Sequence, residues 1–282
     1  MKKTAKNEAT LVVDEIQTKV IVFHVVGTSP MIMNRFSQKA WHELLLPKRS
    51  ENRASLEQSL KHDPIAEFRG AIYLNRDPKR AALIHVPNGS FHGAIASVAI
   101  DIPGAKKAQI ERLTKVVDVN IDLFGIPNVY CAMVRNSDMN RNPDVRTRPI
   151  FPQWACEVSV QFVQPTLTER TIAHLFGAAG HIIGIGDWRG QKGGPYGAFR
   201  IAADGDEEFA MIKKTMGRAA QQKAFDKPIF FDADTEELLA WYEAEVSRRE
   251  MDGHLASNKK KAKEPNGRVV ITDGDKFVGA EA

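Results

Sequence analysis

Six of the fourteen residues from Gly184 to Gly197 are glycine, in the run Gly184-Ile185-Gly186-Asp187-Trp188-Arg189-Gly190-Gln191-Lys192-Gly193-Gly194-Pro195-Tyr196-Gly197. Glycine admits backbone dihedrals and close approaches that a Cβ forbids, and the interleaved cations and rings give such a backbone something to hold. A helical pattern precedes the run, Thr168 to Gly180, capped by Thr168 with Ile172, Leu175 and Phe176 inward; a short strand pattern, Gly197 to Ala203, follows it. That order excludes a dinucleotide fingerprint, whose glycines lie between a strand and a helix. A P-loop needs Gly-Lys followed by Ser or Thr, and Gly-Lys occurs nowhere in the chain. What remains is Arg189, Lys192 and Arg200 for phosphates with Trp188, Tyr196 and Phe199 for bases, a mixture suited to single-stranded nucleic acid. The alternative is a flexible connection around a buried Trp188.

Upstream, Val20, Val22, His24 and Val26 alternate with Ile21, Phe23 and Val25, which predicts a central strand over Thr18 to Val26 buried on both faces. It ends at Gly27-Thr28-Ser29-Pro30 and leads to Arg35 and Lys39, a first basic pair beside apolar residues. Helical patterns follow at Ser37 to Leu46, Ser55 to Leu60 and Pro64 to Tyr73, the last opened by Asp63-Pro64, and together they form a helical insertion over 28–85. Asn88 or Ser90 is positioned to cap a small-residue helix whose first-turn amides, near Ser90 and His92, offer an anion site. The spacing Gly89-Ser90-Phe91-His92-Gly93 is not a nucleophile elbow, so a serine hydrolase is not expected.

A second strand is predicted at Val116 to Ile121, with Leu123 to Pro127 turning out of it, and a third at Trp154 to Val163. Between them Arg135, Arg141, Arg146 and Arg148, with Asn136, Asn140 and Asn142, form a segment too polar for a core. It is expected to project as a nucleic-acid-facing loop or hairpin over 133–150, because arginine suits forked phosphate contacts and base stacking. The order strand, helix, strand, strand, helix, strand within 18–203 is ferredoxin-like, an α+β class. Residues 1–17 form a polar N-terminal segment, 204–256 carry two amphipathic helices at Glu207 to Gln222 and Thr235 to Arg249, and 257–282 read as a disordered, lysine-led tail.

At 282 residues with 43% hydrophobic composition the chain can build a core, and a net charge of +4 with a pI near 9.0 favours an anionic partner. No apolar run approaches the roughly 20 residues of a membrane span and Met-Lys-Lys is not followed by a signal-peptide core, so a cytoplasmic protein without membrane association is expected. Cys131 and Cys156 lack CxxC spacing and suit a reducing compartment. No motif calls for a cofactor or a metal.

Three places together resemble the CRISPR-associated RAMP superfamily, and within it the backbone subunits that coat guide RNA: Thr28-Ser29-Pro30-Met31, Pro87-Asn88-Gly89-Ser90-Phe91-His92-Gly93-Ala94, and the Gly184 to Gly197 loop, in that order. The resemblance implies a modified RNA-recognition fold, a thumb-like projection near 133–150 and head-to-tail assembly into a filament along one strand of RNA. This chain departs from the pattern in carrying Asp187 and Trp188 before Arg189, and His92 where the family often has a lysine. Members that cut RNA use an acidic residue after the first strand, and Gly27 to Lys39 contains none, so a non-catalytic protein is expected. A free-standing phage or mobile-element relative fits the same residues. The alternatives are a phage single-stranded DNA-binding or annealing protein, a metal-dependent ribonuclease using Asp187 or His92, and an interaction protein with an acidic partner.

Overall fold

The computed structural model describes residues 15–35, 62–135 and 143–262, an α+β arrangement with two sheets. The chain divides into two compact units, one up to Thr235 and one from Glu236 onward. In the first unit, β1 (Gln17–Gly27) pairs antiparallel along its length with β8 (Trp154–Gln164) and at its end with β9 (Phe199–Ile201). β5 (Asn120–Gly125) flanks β8 and β3 (Ile84–Pro87) flanks β5, giving the order β3-β5-β8-β1-β9. β4 (Thr114–Val116) pairs with β8 in line with β5.

Two helices, α2 (Asn88–Val98) and α4 (Glu169–Ala178), cover one face of this sheet through an aromatic cluster. Phe23 of β1 stacks on Phe176 of α4 at 4.5 Å, and Phe199 of β9 meets Phe176 at 5.3 Å and Phe91 of α2 at 5.5 Å. Burying each of these rings contributes about 1.5–3 kcal/mol, so the cluster fixes how both helices sit on the strands. Trp154 is fully buried and donates its indole N–H to the Ser29 carbonyl at 2.9 Å, tying β8 to the turn after β1. The opposite face is covered near Val26 and Ala155 by Phe209 and Ile212 of α5 (Glu207–Thr215). That helix does not reach the start of β1, so Val20 and Val22 are 49% and 56% exposed, and the expected burial of both faces holds only for the second half of the strand.

Other boundaries shift for identifiable reasons. The strand expected over Val116 to Ile121 is split, because the chain leaves β8 after Val117 and the Val119 carbonyl takes the Asn88 N–H at 3.0 Å. Leu123 and Phe124, expected in a turn, are buried in β5. Neither Asn88 nor Ser90 caps α2 with its side chain; extended Pro87 is the cap residue and β3 runs directly into the helix. Thr168 does cap α4, accepting the Thr171 N–H at 3.2 Å, and a π-helical turn (Ala179–Ile183) continues that helix into the glycine loop. The single helix expected over Glu207 to Gln222 breaks at Met216-Gly217 into α5 and α6 (Arg218–Asp226).

A second sheet, unanticipated from sequence, has the order β10-β6-β7-β2. β6 (Asn128–Arg135) and β7 (Pro143–Phe151) form an antiparallel hairpin, flanked by two-residue strands β2 (Met31–Ile32) and β10 (Ile229–Phe230). Helix α1 (Pro64–Gly70), capped by Asp63, packs on the hairpin: Glu67 accepts the Thr147 N–H at 3.2 Å, and His62 bridges Glu67 and Asp144 at 2.7 and 3.0 Å. A further helix, α3 (Lys107–Leu113), leads into β4. The helices expected at 37–46 and 55–60, and residues 136–142 of the expected projection, lie outside the described residues. Helix α7 (Ala233–Ala262) begins at the end of the first unit and carries the second, with Glu245 held by Arg248 and Arg249 at 2.7 Å each. Residues 257–262, expected in the tail, continue that helix; 263–282 lie outside the described residues.

Candidate nucleic-acid interface

The turn after β1 and the glycine loop hold each other through their backbones. Thr28 N–H donates to the Ala198 carbonyl at 2.9 Å, Gly197 N–H to Pro30 at 2.8 Å and Asp187 N–H to Ile32 at 2.8 Å. Gly186 and Gly197 make this contact possible. Both have positive φ, 83° and 75°, and a Cβ would come within 2.5 Å of the Ile32 carbonyl oxygen at Gly186 and 1.8 Å of the Ile185 carbonyl oxygen at Gly197. Trp188 is the one non-glycine residue with positive φ among the described residues, at 48°. A bulky residue there is strained by roughly 1–3 kcal/mol, and the indole is 47% exposed rather than spent on a core.

This loop forms one wall of a cleft of about 650 Å³, within the range of ordinary ligand sites, about 300–1,000 Å³. Gly186, Asp187, Arg189, Gln191 and Lys192 line that wall; Gly89, Ser90, Gly93, Ala94 and Ser97 of α2 line the facing one; Met31, Met33 and Asn34 contribute from the turn after β1. Gly89 and Gly93 meet nothing within 4 Å of where a Cβ would stand, so the helix offers bare backbone to whatever enters. The cleft is cationic: among the described residues lining it, Lys107, Arg189 and Lys192 accompany one carboxylate, Asp187. Arg189 is fixed by the Gly186 carbonyl at 3.1 Å and the Gln191 amide oxygen at 2.7 Å. Asp187 pairs with Arg148 of β7 and lies 3.9 Å from Lys192. Burial, then the neighbouring Arg146, draws the Arg148 pKa below its ordinary value, and guanidinium remains charged at neutral pH all the same.

The structure brings some expected residues together and spends others elsewhere. Ser90, Arg189 and Lys192 line the cleft, Arg148 reaches it through Asp187, and Trp188 and Tyr196 lie beside it with ring centroids 5.7 Å apart. Arg35 sits next to cleft-lining Asn34, its guanidinium 5.9 Å from the Tyr73 ring centre. His92 does not line the cleft. Its Nε2–H lies 3.1 Å from each of two carbonyls, Glu111 and Thr114, so the ring ties α2 to the end of α3. Arg200 is held by Asp206 at 2.6 Å and Glu208 at 2.7 Å, and that bond keeps the Asp206 carboxyl below its ordinary pKa. Arg146 pairs with Asp144 at 3.0 Å, and Arg135 closes β6 opposite Pro143. Lys39 and Arg141 lie outside the described residues. Lys107 was missed, since a lysine opening a polar helix carries no signal until the fold turns it toward the loop.

Among the described residues no group of three or more His, Cys, Asp or Glu is placed to hold a metal ion, and no helix is long and apolar enough to cross a membrane. No family model matches the chain. No curated protein matches it. Among solved structures, the crystal structure of Cmr6 from Pyrococcus furiosus matches at 9% identity and a TM-score of 0.33, covering 66% of this chain and 98% of that one. At that score the likeness carries no weight for the assignment of function.

Proposed function

We propose that this chain is a non-catalytic protein that binds single-stranded nucleic acid, RNA by its resemblance to the RAMP backbone subunits, and assembles head-to-tail along the strand. The observation that carries it is convergence: three segments more than fifty residues apart in sequence, at Met31, Pro87 to Ala94 and Ile185 to Lys192, line one cationic cleft with a bare helix face. Two split βαβ units support a ferredoxin-like core. β1-α2-β5 leaves a gap filled by β8, and β8-α4-β9 leaves a gap filled by β1, with every neighbouring pair antiparallel. An RNA-recognition sheet stacks bases on aromatics of its open face. The open half of this sheet carries Val20 and Val22, paired with Gln161 and Ser159, so the strand belongs at the glycine loop instead.

Fluorescence anisotropy with labelled oligonucleotides at several salt concentrations tests the assignment. Affinity should fall with salt, and Lys107→Ala and Lys192→Ala should each shallow the log–log slope by roughly 0.7, the value for one phosphate contact on a single strand. Absent or salt-independent binding refutes the proposal, and a competition in which DNA displaces RNA assigns the strand to DNA.

Asp187 stands where a phosphate would serve Arg148 and Lys192 equally well. Asp187→Asn should therefore tighten binding and steepen the slope by roughly 0.7 to 1.4, for one or two cations released to the strand. It should also lower the melting temperature, because Arg148, 19% exposed, loses its charged partner. Weaker binding at every salt concentration would place Asp187 in contact with the ligand itself.

A further inference from the structure

Beyond the cleft the rings continue. Trp188 and Tyr196 stand 5.7 Å apart, Tyr196 and Tyr130 of β6 6.4 Å, and Tyr130 and Phe231 5.6 Å, a series that leaves the glycine loop and crosses to the second sheet. Trp188 is 47% exposed and the other three are partly exposed. Burial, then the neighbouring Tyr196 hydroxyl, pushes the Tyr130 pKa up to about 12, so Tyr130 is a neutral phenol at physiological pH. Cations run beside the series: Arg148 stands directly across from Tyr130 in the β6–β7 register, and Arg189 follows Trp188 and bridges to Tyr196 through the backbone.

We propose that Trp188, Tyr196, Tyr130 and Phe231 form a stacking path for the unpaired bases of a single strand, carrying it from the cleft onto the second sheet. Partly exposed rings with two arginines beside them suit a polymer that alternates π-faces with phosphates, and stacking of this kind tolerates any base. The path rests on the assignment of the cleft to a single strand and adds to it the direction of travel and the part of the affinity that depends on bases.

The test compares a labelled oligonucleotide with an abasic strand of equal length, which keeps the phosphates and lacks the bases. The wild-type chain should bind the base-bearing strand at least about tenfold more tightly. Trp188→Ala and Phe231→Leu should each lower that affinity by about five- to a hundredfold, with the abasic affinity and the salt slope unchanged. Phe231→Tyr, which keeps a ring, should restore what Phe231→Leu loses. Equal salt-dependent binding of both strands by the wild-type chain overturns the stacking path and leaves the cleft standing; binding of neither overturns both. The wild-type comparison needs no variant to fold, and equal losses for both strands in the variants would reduce the rings to a structural role.

Discussion

Gly197→Ala should lower the unfolding free energy by about 3–5 kcal/mol, while Gly193→Ala, four residues earlier in the same loop, should cost about 1–2 kcal/mol. Both glycines have positive φ, 75° and 73°, so both substitutions force a side chain into the left-handed region. The difference is what the new methyl meets. At Gly193 nothing lies within 4 Å, and at Gly197 the Ile185 carbonyl oxygen would be 1.8 Å away. That oxygen belongs to a backbone fixed on both sides, since Ile185 N–H donates to the Gly197 carbonyl at 2.9 Å and Gly197 N–H donates to Pro30 at 2.8 Å. Relief requires the loop to leave the turn after β1, which opens the cleft, so strand affinity should fall in the fraction that stays folded. Urea melts of the two variants with anisotropy on the same samples decide the matter. Equal destabilisation would mean that the loop is free to move and is not pinned by these two hydrogen bonds.

The parts of this molecule that sequence made legible are those whose chemistry is local. The alternation from Trp154 to Val163, the Thr168 cap and the glycine loop each announce themselves within a few residues, and they reappear as β8, α4 and the cationic wall of the cleft. The second sheet was illegible because two of its four strands are two residues long, too short for any period to register, and because β7 carries arginines at 146 and 148 that read as a loop. Arg200 looked available because its partners come from the cap and first turn of the next helix. Tyr130 and Phe231 lie far apart in sequence, and the parallel pairing of β10 with β6 brings them together. Cleft walls are built from pairings made at long range, and single residues carry little trace of them.

Gln221 shows the same dependence from inside the core, and Gln221→Leu should be among the most damaging single substitutions in the chain, costing about 4 kcal/mol or more. Its side chain is fully buried on α6 and satisfied at both ends: Oε1 accepts from Leu83 N–H at 2.8 Å and Ile84 N–H at 3.2 Å, while Nε2 donates to Leu123 at 2.6 Å and Gly125 at 3.0 Å. Leucine fills a similar volume and bonds none of these groups, stranding four backbone partners at about 1–3 kcal/mol each, less whatever water can reach. Those partners lie at the start of β3 and the end of β5, and β3 runs directly into the helix that forms the bare wall of the cleft. Gln222→Leu is the matched control. Its exposed amide bonds only Asp226 at 3.0 Å within the same helix, and its loss should stay within about 0.5 kcal/mol. Urea melts of both variants, with hydrogen exchange followed at Ile84 and Val86, should show the first losing stability and protection together and the second losing neither. A Gln221→Leu protein that melts like the wild type would mean that the β3–β5 ladder holds this wall without the glutamine.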